Sequence, residues 1–222
     1  MKPQHTLGRA TTPDGKEVLL HERDGAYAIR VGGLELMSSR AHGSEESLAH
    51  LALSKISTKD PVVLVGGLGM GFTLRAVLDA TPASARVVVV EILEAVVDWN
   101  RTHLAHLAHE PLEDPRVTIL TEDVGPVLKR ARDSFDVVLL DVDNGPEAFT
   151  SAGNHGLYTD AGLQAIRRAL RPNGALGVWS ADPDRGFERR LAQRGFRTTT
   201  HSVPARRGGK GPKHTIFIAS VR

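Results

Sequence analysis

Two acidic residues follow an apolar run near the middle of the chain, where carboxylates could do chemistry. The string "FDVVLLDVDNGPE" places Asp141 and Asp143 two positions apart, directly after residues typical of a buried strand. Carboxylates at such a strand end can hold a cationic amine and take up its proton as it attacks an electrophile. Asp, Asn, Gly and Pro in sequence are also typical of a turn without chemistry. We expect Asp141 and Asp143 to be the catalytic residues.

A glycine-rich turn follows an earlier apolar run. In "VVLVGGLGMGF", the run gives way to Gly66, Gly67, Gly69 and Gly71. A turn without β-carbons lets a ligand approach the backbone amides at the start of the next helix. A tight strand-to-helix turn that binds nothing would use the same residues. We expect the turn to be cofactor-binding because of the acidic residues that follow it.

Acidic residues also end the next two strand-like runs. Glu91 ends "VVVVE", twenty positions after Gly71, a spacing that suits hydrogen bonds to both hydroxyls of an adenosine ribose. Asp123, in "ILTEDV", can accept from the adenine amino group, with Val124 closing over the ring, or cap the following helix. Phe72 stands where a dinucleotide fingerprint has its third glycine, so S-adenosylmethionine ranks above a nicotinamide cofactor.

The elements that must position these residues can be predicted from the alternation of the chain. Over residues 1–43, alternating runs are separated by Asp-Gly and Gly-Gly, which are hairpin signals, so we predict a small N-terminal β meander. Over residues 44–222, apolar runs alternate with helix-like segments, as in a parallel sheet covered on both faces. The predicted fold class is α/β, a Rossmann-like, doubly wound, seven-stranded sheet whose last strand is antiparallel. We expect 1–43 and 44–222 to be separate domains.

The composition excludes several kinds of site. The 222 residues contain no cysteine, which removes disulfides and zinc–cysteine sites and favours a cytoplasmic protein. No apolar run has the length of about 18 residues that a membrane span needs. A net charge of +2 does not call for a nucleic-acid partner. We expect a small-molecule substrate and no membrane or nucleic-acid partner, and we allow for a homodimer.

Three histidines recur in a segment that we predict to be helical. His103, His106 and His109 occupy every third position of "EAVVDWNRTHLAHLAHE". At this spacing they drift around the helix, and no carboxylate pair is fixed beside them. We therefore predict no metal site.

The motifs together resemble the spermidine/spermine synthase family of aminopropyltransferases. The resemblance rests on "VVLVGGLGMGFTLRAVL", "RVVVVEI", "DPRVTILTEDV", "FDVVLLDVDNGPE" and "LYTDAGLQAIRRALRPNGAL", across residues 60–180. It implies a nucleoside-sulfonium donor, with Glu91 on the ribose and Asp123 at the adenine. It also implies that Asp141 is the acid that handles the attacking amine.

The chain also departs from that family. The aspartate of the family's glycine loop, which binds the aminopropyl amine, falls on Gly69, and the helix motif Tyr-His-Glu or Tyr-Gln-Glu is replaced by Ser44, Glu45 and Glu46. Losing the loop carboxylate removes selectivity for decarboxylated S-adenosylmethionine. We therefore predict methyl transfer from S-adenosylmethionine to a small amine or anionic substrate. Aminopropyl transfer from decarboxylated S-adenosylmethionine is the alternative, and a nucleoside-binding module without chemistry is the third.

Four residues are candidates on the substrate side. Arg206 and Arg207 follow the sixth strand, which we predict to be parallel, so their loop should lie at the carboxyl edge of the sheet. They would draw in an anionic substrate, or they belong to a solvated basic hairpin. Trp179, at the end of the fifth strand, walls the acceptor pocket or belongs to the core. Glu46 is the fourth candidate.

Overall fold

The computed structural model describes residues 3–142, 154–206 and 211–221. In these ranges the chain forms a four-stranded sheet and a seven-stranded sheet. Six α-helices occur in the described ranges: α1 (Gly43–Leu53), α2 (Phe72–Ala80), α3 (Glu94–Arg101), α4 (Val124–Arg130), α5 (Asp160–Ala169) and α6 (Arg185–Gln193). None of the helices described is both long and apolar enough to cross a membrane.

The four-stranded sheet is the predicted N-terminal meander. Its antiparallel strands lie in chain order: β1 (His5–Thr11), β2 (Glu17–Arg23), β3 (Ala26–Val31) and β4 (Leu34–Ser38). Asp24 and Gly25 have φ values of 54° and 70°, and Gly32 and Gly33 have 55° and 84°. Positive φ at both central residues gives a two-residue turn the twist that antiparallel strands need. The two hairpin signals of the sequence are thus confirmed.

The seven-stranded sheet confirms the predicted α/β fold class. Its strand order is β10-β11-β9-β8-β5-β6-β7, and β11 is antiparallel to both of its neighbours. The remaining strand pairs are parallel. The strands are β5 (Val62–Gly66), β6 (Arg86–Glu91), β7 (Val117–Thr121), β8 (Phe135–Leu140), β9 (Leu170–Ser180), β10 (Phe196–Pro204) and β11 (Lys213–Val221).

The order of these strands determines where a ligand can bind. From β5 the chain proceeds outward to β6 and β7 on one side, and then returns to add β8 on the other side. A crevice opens at the carboxyl ends of parallel strands where the winding direction reverses in this way. The glycine turn follows β5 and Asp141 follows β8, so they flank that crevice.

One predicted helix is shorter than expected. The sequence pattern favoured a helix through His109, but α3 ends at Arg101 and a short 3₁₀ helix, Ala105–Ala108, follows a turn. Leu104 and Ala108 are fully buried, and the turn directs both into the core. The prediction of one helix over all three histidines is therefore wrong, because core packing outweighs the local helical pattern.

The meander and the larger sheet share a hydrophobic core. Val18, Leu20 and Ile29 of the meander belong to the same buried cluster as residues of α1, α2 and α3. Gly8 of β1 lies so close to Trp99 of α3 that a β-carbon there would come within 2.3 Å of the indole nitrogen. The division into domains at residues 43 and 44 stays a prediction, and this shared core holds the meander over the carboxyl edge of the sheet.

Candidate active site

A cavity of about 260 Å³ lies between the meander and the carboxyl edge of the large sheet. Apolar residues of β2 and β3 form its roof. The glycine turn and the ends of β6, β7 and β8 form its floor. The lining includes Val18, Ile29, Gly67, Gly69, Glu91, Asp123, Val124 and Asp141. The cavity thus brings together the main elements that the sequence analysis selected.

The glycine turn is pressed against the segment that follows β8. Gly67 has a φ of 88°, and a β-carbon there would lie 2.3 Å from the carbonyl oxygen of Asp141. Asn100, on α3, donates a side-chain hydrogen bond of 2.8 Å to the carbonyl oxygen of Gly69. Glycine is therefore required at 67 for two reasons, the backbone conformation and the lack of space.

Glu91 fastens the same turn from the other side. Its Oε2 accepts a hydrogen bond of 3.0 Å from the Leu68 backbone amide, and its Oε1 accepts one of 2.9 Å from Leu93. Burial raises the pKa of the Glu91 carboxyl, and the backbone amides oppose that effect. A carboxylate oxygen can accept more than one hydrogen bond. Glu91 therefore keeps acceptor capacity for a ligand in the cavity, and its contact with a ribose stays a prediction.

Asp123 caps a helix at the cavity wall. Its Oδ1 accepts a hydrogen bond of 2.7 Å from the backbone amide of Gly125, in the first turn of α4. The capping role, one of the two considered for this residue, is confirmed. Val124 is buried beside Gly66, as a residue that closes over a flat ring would be. The adenine contacts of Asp123 and Val124 stay predictions.

Asp141 lines the inner cavity with a carboxyl group whose pKa is raised. Its Oδ2 accepts a hydrogen bond of 2.5 Å from the hydroxyl of Thr73, on α2. Burial raises the pKa of Asp141 to about 6, and the Thr73 hydrogen bond opposes that rise. A carboxyl group with such a pKa is ionised at neutral pH and still basic enough to accept a proton. Asp143, the second predicted catalytic residue, lies outside the described residues.

A wider outer cavity of about 810 Å³ opens next to the first and shares Leu36 with it. Trp179 and Arg206 line this outer cavity, and Trp179 also belongs to the hydrophobic core, the alternative considered for it. Arg207 lies outside the described residues. Glu46 instead contacts His42, with Oε1 2.8 Å from Nδ1. Their roles towards a substrate stay predictions.

The structure adds three residues that the sequence analysis did not choose. Glu45, rather than Glu46, lines the outer cavity, and it is only 5% exposed. Ser44 and His214 are hydrogen-bonded to one another beside it. The sequence signal for this segment is its departure from the family's motif at 44–46. Only the rotation of α1 decides which of its two acids faces inward.

The position of the missing loop carboxylate is filled by another side chain. A β-carbon at Gly69 would lie 2.7 Å from the sulfur of Met37, on β4. The thioether thus covers the glycine where the family has its aspartate. Among the residues that the structure describes, no group of three or more His, Asp or Glu side chains is arranged to hold a metal ion.

Comparison with known proteins is consistent with this site. The profile of the family described as "Spermine/spermidine synthase domain" matches residues 41–183. The chain belongs to the spermine/spermidine synthase family. The match ends before β10 and β11, so His214 and Arg206 lie outside the segment that defines the membership.

Curated relatives carry the name polyamine aminopropyltransferase. A protein from Prochlorococcus marinus is 31% identical over 63% of this chain and 47% of its own length. Polyamine aminopropyltransferase 2 from Pseudomonas aeruginosa is 34% identical over 61% of this chain and 39% of its own length. The chain therefore spans about half or less of the length of these relatives.

Solved structures share the fold of nearly the whole chain. Spermidine synthase from Thermotoga maritima has a TM-score of 0.77 and 22% identity, and the match covers 97% of this chain and 72% of that protein. A spermidine synthase in complex with the transition-state analogue AdoDATO has a TM-score of 0.76 and 21% identity, over the same shares. At these identities the likeness establishes the fold, including the meander.

Proposed function

We propose that this protein transfers an aminopropyl group from decarboxylated S-adenosylmethionine to a small amine. One observation carries the choice of donor. Five carboxyl groups and no Lys, Arg or His line the inner cavity, counted over the described residues: Asp14, Glu91, Glu122, Asp123 and Asp141. The decarboxylated donor carries a sulfonium and an ammonium group and no carboxylate, so its charge complements this lining.

Two of the five carboxylates are neutralised by neighbours, and three are not. Asp14 pairs with Lys16, and Glu122 pairs with Arg130. Glu91, Asp123 and Asp141 form no ion pair within the described ranges. S-adenosylmethionine would bring its own carboxylate into this acidic cavity, where the described lining has no cationic side chain to receive it.

Methyl transfer, which the sequence analysis ranked first, is not supported by the comparisons. That ranking depended on Gly69, where the family's loop has an aspartate. Glycine has no side chain, so the loop supplies no carboxylate to the aminopropyl ammonium, and Met37 covers this position. Family membership, the names of the curated relatives and the acidic cavity favour the alternative. In the proposed reaction the ammonium group of the donor relies on the remaining acids, of which Asp141 lies beside the glycine turn.

In the proposed reaction each site residue has its own role. Glu91 accepts the ribose hydroxyls, and Asp123 and Val124 hold the adenine. The donor supplies an electrophilic carbon next to its sulfonium sulfur. Asp141 takes one proton from the acceptor ammonium, and the free amine forms the new C–N bond while the C–S bond breaks and its electron pair stays on sulfur. Thr73 keeps the carboxyl group of Asp141 in place.

The choice of donor is tested by measuring the binding and turnover of both sulfonium compounds. We expect decarboxylated S-adenosylmethionine to bind at least tenfold more tightly than S-adenosylmethionine in calorimetry. We also expect it to yield an aminopropylated product with a diamine acceptor, detected by mass spectrometry. Equal or tighter binding of S-adenosylmethionine, together with a methylated product, would overturn the proposal.

A further inference from the structure

A buried serine joins a carboxyl group to an imidazole at the wall of the outer cavity. The Ser44 hydroxyl oxygen lies 2.6 Å from Glu45 Oε2 and 2.8 Å from His214 Nδ1. Trp179 Nε1 donates a third hydrogen bond to the same oxygen, at 3.0 Å. Ser44 has no exposed surface, whereas the imidazole of His214 is only half-buried. The serine therefore stands between an enclosed acid and a group that water can reach.

The number of protons in this cluster limits its arrangements to two. A hydroxyl group has one proton to donate and two lone pairs. The indole N–H of Trp179 can only donate, so it occupies one lone pair in both arrangements. One proton and one lone pair remain for Glu45 and His214. One of these two groups must therefore donate to Ser44 while the other accepts from it.

The two arrangements differ in the charge of the acid. In the first, protonated Glu45 donates to Ser44, and Ser44 donates to the bare Nδ1 of His214, whose proton is on Nε2. In the second, ionised Glu45 accepts from Ser44, and His214 donates through a protonated Nδ1. Conversion moves a proton from Glu45 to Ser44 and the Ser44 proton to Nδ1, after which Nε2 releases a proton to water. The reverse conversion takes one proton from water at Nε2.

We propose that Glu45 is an acceptor-binding residue that ionises by exchanging one proton with solvent through Ser44 and His214, and that its carboxylate then holds the ammonium group of the acceptor. The inference rests on the proposed function for the identity of the acceptor as an amine. Glu45 is suited to this role because it lines the outer cavity and is paired with no cation among the described residues.

The resting state of the cluster favours the first arrangement. Burial and the nearby charge of Asp141 raise the pKa of Glu45 to about 8. Burial lowers the pKa of His214, and Asp182 opposes that effect. At neutral pH the acid is therefore protonated and the imidazole is neutral. An arriving ammonium group would stabilise the carboxylate and release a proton.

Neighbouring acidic groups favour the protonated form of Glu45. Asp141 and Glu46 are the charged groups that act most strongly on the pKa of Glu45, and both favour its protonated form. A cation between Glu45 and Asp141 would therefore relieve the repulsion of both. Asp182 acts on the pKa of His214. The other ionisable side chains that line the outer cavity with Glu45 and His214, within the described residues, are His21, Arg23, Asp24, Tyr27, Arg30, Glu35, Arg40 and Arg206.

A serine hydrolase would use the same three residue types differently. In a catalytic triad the carboxylate orients the histidine, and the histidine activates a serine that faces the substrate. Here the serine lies between the two other groups and has no exposed surface. This geometry suits a hydroxyl that passes protons along and does not suit one that attacks a substrate.

The exchange path is tested without any activity measurement by ¹⁵N NMR of the His214 ring. We expect the Nε2-protonated tautomer at pH 7 and a switch to the Nδ1-protonated tautomer as the pH rises through about 8. Glu45→Gln and Ser44→Ala should each abolish the step, whereas Ser47→Ala, one turn further along α1, should keep it. The proton-exchange path is overturned if the wild type shows no tautomer switch of His214, or if the switch persists in Glu45→Gln.

The binding role is tested by calorimetry with 1,4-diaminobutane at pH 7, repeated in buffers of different ionisation enthalpy. We expect the wild type to release close to one more proton for each diamine bound than Glu45→Gln releases. In turnover, Glu45→Gln should raise the KM for the diamine at least tenfold and change kcat less. Equal proton release from the two proteins, or no diamine binding, overturns the role of Glu45. If the wild type releases the extra proton on diamine binding but transfers no aminopropyl group, the proposed function is contradicted and the role of Glu45 in amine binding still stands.

Discussion

At the scale of single residues, the proposed reaction depends on Asp141. Its carboxyl group is buried enough to raise its pKa to about 6, and Thr73 fixes one of its oxygens. A group with this pKa can hold a cation as a carboxylate and can still accept a proton near neutral pH. This combination distinguishes Asp141 from Asp123, whose described side-chain contact is a helix cap.

Replacing Asp141 tests whether its carboxyl group accepts a proton in the reaction. Asp141→Asn removes the proton acceptor but keeps the side-chain volume, so we expect the turnover rate to fall by roughly 10²–10⁴-fold. The wild-type rate should increase as the pH rises through about 6, because the active form is the ionised one. Initial rates across pH 5–8 measure both effects. Asp98→Asn, on the exposed side of α3, is the control, and an unchanged rate in Asp141→Asn would show that Asp141 is not the proton acceptor.

At the scale of elements, the glycine turn works as part of a braced assembly. Asn100 on α3 and Glu91 at the end of β6 hold the turn by hydrogen bonds to its backbone. The segment after β8 lies against Gly67. The end of β6, α3 and the segment after β8 therefore fix the floor of the inner cavity before any ligand binds. Such preorganisation reduces the conformational cost of binding.

A pair of glycine substitutions separates the two reasons for glycine at position 67. Gly25 has a φ of 70°, and a β-carbon added there would have no atom within 4 Å, so Gly25→Ala should cost only the backbone strain of about 1 kcal/mol. Gly67→Ala adds a clash with the Asp141 carbonyl oxygen, and we expect it to cost about 3 kcal/mol or more. Urea denaturation measures both. Equal losses would show that the chain after β8 moves away without cost.

At the scale of the whole molecule, the fold buries a carboxyl group whose ionised form is more stable in water. Glu45, on α1, is buried, and burial together with the charge of Asp141 raises its pKa from 4.5 to about 8. A carboxyl group with a raised pKa in the folded state binds protons more readily there than in the unfolded chain. Its contribution to stability is therefore complete below pH 4.5 and is lost as the pH rises through about 8.

The pH dependence of unfolding tests this linkage. Between pH 6.5 and 8 the free energy of unfolding of the wild type should fall by about 1–2 kcal/mol, because the slope is about 1.4 kcal/mol for each pH unit well below the folded-state pKa and about half of that at pH 8. Glu45→Gln should flatten this slope because glutamine does not titrate. Urea denaturation at several pH values provides the measurement. A slope that is the same in both proteins would mean that Glu45 is ionised in the folded state throughout this range.

Local patterns along the chain were enough to predict the strands of the large sheet, the glycine turn and the positions of Glu91, Asp123 and Asp141. These features depend on apolar runs, on their spacing and on the residues that end them. The same patterns placed the loop with Arg206 at the carboxyl edge of the sheet, since β10 was predicted to be parallel. They did not predict β1, whose side chains are largely exposed and lack a strong apolar alternation.

Which side chains meet depends instead on how the elements pack. Ser44 and His214 are 170 positions apart, and the packing of α1 against β9 and β11 brings them into contact. The rotation of α1 selects Glu45 over Glu46, and the packing of β4 places Met37 over Gly69. A single sequence does not reveal these contacts, because each depends on the relative placement of two elements that pack together only in the folded chain.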